Sequence, residues 1–313
     1  MRIVFMGTPA PAAKALERLL SSGHDVAAVY TQPDRPSGRG NKVTASPVKE
    51  FALSRGIRVL QPRSVTTAEA LDDFRSIGAE VSVVVAYGRI LPTTFLEAPK
   101  YGAINVHYSL LPKYRGAAPV NWAIVNGETT TGVTTMKMDA GLDTGDILIQ
   151  EDTEIREDET AIELMSRLSE IGADVLVRTL TELGSIVPIV QDDTKATYAP
   201  LMKKSDGFIN WTLPASDIVN RVRGFQPFPS SFSFLRGMRL TLWKAEAIRG
   251  ESSGAPGEIL SVGADEWLVQ CGAGTMLKII EAQQEGKRRM AAADIINGVR
   301  PKVGEMFGAS PND

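Results

Sequence analysis

Four segments, RIVFMG (2–7), DVAAVY (25–30), VSVVVAYG (81–88) and AINVH (103–107), are almost wholly apolar. Between them the apolar residues recur at helical spacing in PAAKALERLLSSG (11–23), VKEFALSRG (48–56) and TTAEALDDFRSIG (66–78). A strand that is apolar on both sides has no face to give to water and must be covered above and below. Helices alternating with such strands supply that cover, and Gly23 and Gly56 are natural helix stops. The fold class expected is α/β: an open, mostly parallel, Rossmann-like sheet over the first half of the chain.

Farther on, IREDETAIELMSRLSEIGADVLVRTLTELG (155–184) keeps a helical period, whereas SIVPIVQDDTKATYAPLMKKSDG (185–207) has scattered prolines and none. Beyond it the segments are short and separated by turn residues: SSFSFLRGMRLTLWKAEAI, GEILSVG, EWLVQCG and TMLKIIEAQ. This pattern predicts a small OB-like β-barrel. The expected domains are residues 1–188, a linker over 189–206, and a barrel over 207–313. A chain of 313 residues is long enough for two cores.

A net charge of −3 excludes the overall basic footprint of a protein that coats nucleic acid, so any RNA contact must be local. Cys271 is the only cysteine, which precludes an intrachain disulfide and, with only His24 and His107 as histidines, argues against a structural zinc site. MRIVFMGTP lacks the features of a signal peptide, and no apolar run reaches membrane-spanning length. A cytoplasmic location and a monomer are expected.

On a strand, alternate side chains share a face, so Asn105 and His107 point together at the carboxyl end of AINVH. Open α/β sheets bind ligands at that end. In TTGVTTMKMDAGLDTGDILIQ a strand gives way to a loop where Gly141 and Gly145 flank Asp143, and Asp139 and Asp146 read as turn residues. One amide, one imidazole and one carboxylate suit addition to a carbonyl: two donors for an oxyanion and a group to orient the ring or assist proton removal. Other schemes fare worse. Only Gly7 stands where a dinucleotide fingerprint would need three glycines. GESSG (250–254) matches a nucleophile elbow by chance, since no helix can start there and no histidine follows.

Two stretches carry local positive charge. TQPDRPSGRGNKVTASPVKEF (31–51) is too long for a simple connection and groups Arg35, Arg39 and Lys42. In the second domain Lys287, Arg288 and Arg289 form a basic edge that Lys203 and Lys204 of the linker could extend along a phosphate backbone.

The segments FMGTP, TQPDRPSGRG, VVVAYGRILP, INVHYSLLPKYRGAAPVNWAI and GVTTMKMDAGLDTGDIL together closely resemble the methionyl-tRNA formyltransferase family. QPFPSS, APGEIL and the basic closing segment resemble it more weakly. The resemblance implies transfer of a formyl group from 10-formyltetrahydrofolate to the α-amino group of methionyl initiator tRNA, with no metal. It implies Asn105, His107 and Asp143 as the catalytic set and Ser109, Leu110, Leu111 and Pro112 lining the folate site. Arg39 would sense the end of the acceptor stem, with Arg35 and Lys42 in support, and the barrel would hold the tRNA. A folate-dependent formyltransferase acting on a small amine, and a formyltetrahydrofolate hydrolase, share the catalytic set. Where the family has a small residue after the histidine, this chain has Tyr108, whose ring should point away from the His107 face.

Overall fold

The computed structural model describes residues 1–37, 42–250, 252–263 and 266–308. The chain forms two compact units. The first comprises Met1–Pro119, Thr130–Glu154 and Met165–Ala199; the second comprises Val120–Thr129, Ile155–Leu164 and Pro200–Asp313.

Along the chain come β1 (Arg2–Gly7), α1 (Ala10–Ser21), β2 (Asp25–Tyr30), β3 (Arg35–Ser37), β4 (Lys42–Thr44), α2 (Pro47–Ser54), β5 (Val59–Leu60) and α3 (Ala68–Ser76). There follow β6 (Val81–Val85), α4 (Thr93–Leu96), β7 (Ala103–His107), β8 (Arg115–Gly116), α5 (Pro119–Val125), β9 (Thr130–Lys137), β10 (Ile147–Glu154), α6 (Ala161–Glu182) and β11 (Tyr198–Ala199). The main sheet has the order β10-β9-β7-β6-β1-β2-β5. Its strands are parallel from β5 to β7, and β9 and β10 add antiparallel pairings at one side. From β1 the chain runs outward to β2 and β5 and then returns to β6 and β7, which puts a topological switch between β1 and β6.

Every residue of β6 and β7 is buried, as both-face-apolar strands require. On one face Tyr30, Phe74 and Phe95 stack, with Phe74 and Phe95 ring centroids 4.9 Å apart. Ser46 caps α2 by accepting from Lys49 N, and Thr67 caps α3 by accepting from Ala70 N. Gly7 allows the β1–α1 turn to close: a Cβ there would lie 2.7 Å from the Ala12 Cβ. Within the long basic connection, β3 and β4 pair as antiparallel strands. Arg39 lies outside the described residues.

The second unit contains α7 (Ala215–Gly224), β12 (Ser231–Leu235), β13 (Met238–Ile248), β14 (Ile259–Val262), β15 (Trp267–Gln270), β16 (Met276–Gln284), β17 (Met290–Ala291), α8 (Ala292–Val299) and β18 (Phe307–Gly308). They make a curled antiparallel sheet, β14-β15-β16-β13-β12-β18, with β17 on β16. A bridge between Glu258 and Met306 brings its two edges together. This is the OB-like half-barrel expected from the short strands. Fully buried Trp267 anchors its core, with Phe307 stacked at 5.8 Å and Trp211 beyond it. Among the described residues no helix is long and apolar enough to cross a membrane.

Candidate active site

The site lies at the carboxyl end of β7, beside the loop that joins β9 to β10, in the first unit. β7 sits between parallel β6 and antiparallel β9, in a register that sets Asn105 opposite Met136 and His107 opposite Thr134. Asn105 and His107 are both buried, at 9% and 6% exposure. No side-chain hydrogen bond is formed by the Asn105 amide among the described residues. Asn105 is not among the residues with a fully buried, unpartnered polar atom, so its donors stay open to a ligand.

The imidazole is held on both sides. His107 Nε2 lies 2.9 Å from the Tyr114 carbonyl oxygen. A carbonyl only accepts, so Nε2 carries the proton and donates. Nδ1 then faces Asp143 Oδ2 at 3.7 Å. In the neutral ring Nδ1 holds a lone pair; in the imidazolium it carries a proton beside a carboxylate. The partner carbonyl thereby selects the nitrogen available to a substrate.

Asp143 is itself oriented by backbone and by a remote amide. Gly116 N donates to Asp143 Oδ2 at 2.8 Å. Gln191 Nε2 donates to the carbonyls of Asp143 and Gly145 at 2.8 and 2.7 Å. Gln191 Oε1 accepts from Arg115 Nε and Nη2, and Arg115 Nη2 also reaches Asp193. The Arg115 guanidinium is almost fully buried, so Gln191 and Asp193 together supply its acceptors. Tyr114 and Asp143 both adopt left-handed backbone, with φ of 61° and 55°. Each costs roughly 1–3 kcal/mol, which surrounding contacts must offset, and such residues gather at working sites. Gly145 lets the Asp143 loop turn against β9, where a Cβ would lie 1.8 Å from the Lys137 carbonyl oxygen. Asp139 accepts from Gly141 N and Thr144 Oγ1 and is a turn residue.

The Ser109–Pro112 stretch is a tight turn fastened from three directions. Ser109 Oγ donates to the Lys113 carbonyl at 2.6 Å. Thr134 Oγ1 donates to the Ser109 carbonyl and accepts from Leu111 N. Gln150 Nε2 donates to the Leu111 carbonyl and to Thr134 Oγ1. The Ser109 hydroxyl is thus spent within the turn, and the turn presents backbone and the half-buried Leu110 and Pro112 instead, while Leu111 is buried with Met136 and Ile147. Tyr108 points the other way, as alternation predicts. Its ring is buried against Gly172 of α6, where a Cβ would lie 3.2 Å from Tyr108 Cε1. Its hydroxyl bonds Ser169, and burial pushes its pKa up.

Of the basic residues, Arg35 reaches Gln32, Oε1 of which also accepts from Arg89. Asp34 at the foot of the hairpin pairs with Lys49 at 2.5 Å and accepts from Gln61. Lys42 belongs to β4. In the second unit Lys203 and Lys204 begin a 3-10 turn, and Lys287 and Arg288 lie between β16 and β17. Arg289 pairs with Glu281 and stacks on Trp243 at 5.3 Å, which leaves it less free charge than its neighbours. Tyr114 and Arg115 in PKYRG, and Thr134 and Gln150 in TTGVTTMKMDAGLDTGDILIQ, stand in the quoted segments without a role assigned to them, and Gln191 had no sequence signal at all. Among the described residues no group of three or more His, Cys, Asp or Glu is placed to hold a metal.

Residues 1–180 match the formyl transferase family and residues 201–300 the formyl transferase C-terminal domain. A methionyl-tRNA formyltransferase of Solibacter usitatus is 52% identical over 98% of this chain and 99% of its own length. Another from Caldanaerobacter subterraneus is 50% identical over 95% of this chain and 97% of its own. Among solved structures, the N-formyltransferase of Helicobacter canadensis in complex with folinic acid and dTDP-3-aminofucose superposes with a TM-score of 0.65 at 18% identity, covering 90% of this chain and 98% of that one. HypX of Aquifex aeolicus with tetrahydrofolic acid does so at 0.63 and 16% identity, over 97% of this chain and 48% of the other. These two likenesses establish the shared fold, and the near-full-length identity to the first two relatives does more: this chain belongs to the methionyl-tRNA formyltransferase family.

Proposed function

We propose that the protein transfers the formyl group of 10-formyltetrahydrofolate to the free α-amino group of methionine esterified to initiator tRNA. The observation that carries the chemistry is the pairing of an unused Asn105 amide with a His107 ring whose Nδ1 alone is left for a substrate. The neutral amine attacks the formyl carbon and forms the new C–N bond. Asn105 Nδ2 donates to the oxygen as it becomes an oxyanion, the step at which fixed donors help most. His107 Nδ1 takes a proton from the ammonium centre, and Asp143 stabilises the resulting imidazolium. Collapse of the tetrahedral centre breaks the bond to folate N10, which receives that proton and leaves as tetrahydrofolate.

In this reading the Ser109–Pro112 turn bounds the folate site with backbone and apolar surface. Arg35, Arg39 and Lys42 meet the acceptor end of the tRNA, and Lys203, Lys204, Lys287, Arg288 and Arg289 meet its phosphates. Transfer of labelled formyl is compared with methionyl initiator tRNA, a small amine such as glycinamide ribonucleotide, and water as acceptors. Formylation of the tRNA alone is expected; transfer only to the small amine or to water would overturn the tRNA assignment. Asp143→Asn should lower turnover at saturating substrate by about a hundredfold, in line with other general acid–base groups. Unchanged turnover would remove Asp143 from the proton path.

A further inference from the structure

In the second unit one strand buries two serines and leaves two phenylalanines only half-buried. In β12 the alternation buries Ser231 and Ser233 to 1% exposure, while Phe232 and Phe234 face outward. Ser231 Oγ is buried without a hydrogen-bond partner, and Ser233 is satisfied only by Trp211 Nε1 and the Gly308 carbonyl. Burying serines and exposing phenylalanines loses stability on both faces. Packing within the unit covers the outward aromatics only in part.

Those rings line a cleft of about 710 Å³ together with Phe208, Phe228, Lys204 and Arg239. Phe208 and Phe228 are 36% and 45% exposed. Ring centroids of Phe208 and Phe234 lie 5.9 and 6.0 Å from that of Phe232. Arg239, paired with Phe234 across β12 and β13, lays its guanidinium 3.9 Å from the Phe232 centroid. Its Nε is buried without a partner. No acidic side chain lines the cleft, and among the described residues neither Arg239 nor Lys204 forms a salt bridge.

Flat aromatic faces beside unneutralised cations are complementary to a nucleobase and its phosphate, the means by which sheet faces take unpaired RNA. A proline-rich peptide would use the rings and leave the two cations idle. We infer that this cleft is a base-stacking subsite that takes one unpaired nucleotide of the methionyl-tRNA, its base against the exposed rings of Phe208 and Phe228 and its phosphate against Arg239 and Lys204. The inference rests on the tRNA reading proposed above.

The test uses the full-length protein. Binding of methionyl-tRNA is measured over a salt series for wild type, Phe228→Ala and Arg239→Gln, with folinic acid affinity as the check on folding. Loss of one stacked base should weaken binding roughly 5- to 100-fold in Phe228→Ala. Arg239→Gln should lower the slope of log K against log salt by about 0.7, as for one single-strand phosphate. A merely structural role would leave that slope alone. A benzoylphenylalanine placed at position 228 should crosslink to an unpaired nucleotide. Binding within twofold of wild type with an unchanged slope, or a crosslink only to paired stem or to protein, would overturn the subsite. In either of those cases normal wild-type formylation leaves the parent reading standing. A wild type that formylates no methionyl-tRNA brings down both.

Discussion

Replacing Gln191 with leucine tests whether a residue far from the chemistry in sequence holds the catalytic loop. Leucine keeps nearly the same volume, so the change removes hydrogen bonds with little cavity. Arg115 Nε would lose its acceptor at 3.1 Å, while Nη2 would keep Asp193 at 2.7 Å. Leaving one buried donor of a charged group unmet costs roughly 1–3 kcal/mol, and each of the two loop carbonyls loses about 0.5–1.5 kcal/mol. The sum is about 2–6 kcal/mol, a large share of ordinary domain stability. Urea unfolding should show a lower midpoint with an unchanged slope. Turnover should fall at least tenfold, because Asp143 loses the clamp on its own carbonyl. Gln191→Glu separates the two roles: its carboxylate still accepts from Arg115 but cannot donate to the Asp143 and Gly145 carbonyls. Stability should return only in the part due to Arg115, because the two loop carbonyls stay unpaired beside a carboxylate, and turnover should not return. A Gln191→Leu protein within about 1 kcal/mol of wild type and fully active would refute the reasoning, since solvent or loop adjustment would then satisfy every group now bonded to Gln191.

Gly145→Ala drives a Cβ to 1.8 Å from the Lys137 carbonyl oxygen, so the Asp143 loop must move; turnover should fall at least tenfold, and full activity would mean the loop geometry is not required. Tyr108→Ala leaves a cavity on the side of the sheet away from His107 and should cost about 3–5 kcal/mol by thermal or chemical unfolding. Folinic acid affinity should stay within about twofold, and a large change there would place the ring in the folate pocket. Burial pushes the Cys271 thiol up to about 12. The native thiol should resist an aromatic disulfide reagent at pH 8 and titrate as one equivalent after unfolding. Because the unfolded thiol ionises first, the stability this group contributes is full below its unfolded pKa and lost as pH rises from about 9 to about 12. A melting temperature that stays level over that range in wild type relative to Cys271→Ala would contradict it.

Much of this molecule is local in origin. A strand that is apolar on both faces must be covered on both, whatever its neighbours, so β1, β2, β6 and β7 could be read as a parallel sheet from their own residues. The two-residue period of a strand likewise put Asn105 and His107 on one face and Tyr108 on the other, and the structure places Tyr108 against Gly172 accordingly. The hairpin of β3 and β4 was not legible, because its three-residue strands are too short to show a period amid prolines and glycines. Nor was the stretch around Gln191, which has no period and reads as a linker, yet it bonds Arg115, 76 residues earlier in the chain. The choice of Nδ1 over Nε2 at His107 depends on where the Tyr114 carbonyl falls after a left-handed turn. Sequence alone determined which residues face the site, since side-chain direction follows from the backbone of the same few residues. Which of their atoms are free to react was decided by the tertiary structure, since hydrogen-bond partners brought together from distant segments consume some donors and acceptors and leave others open.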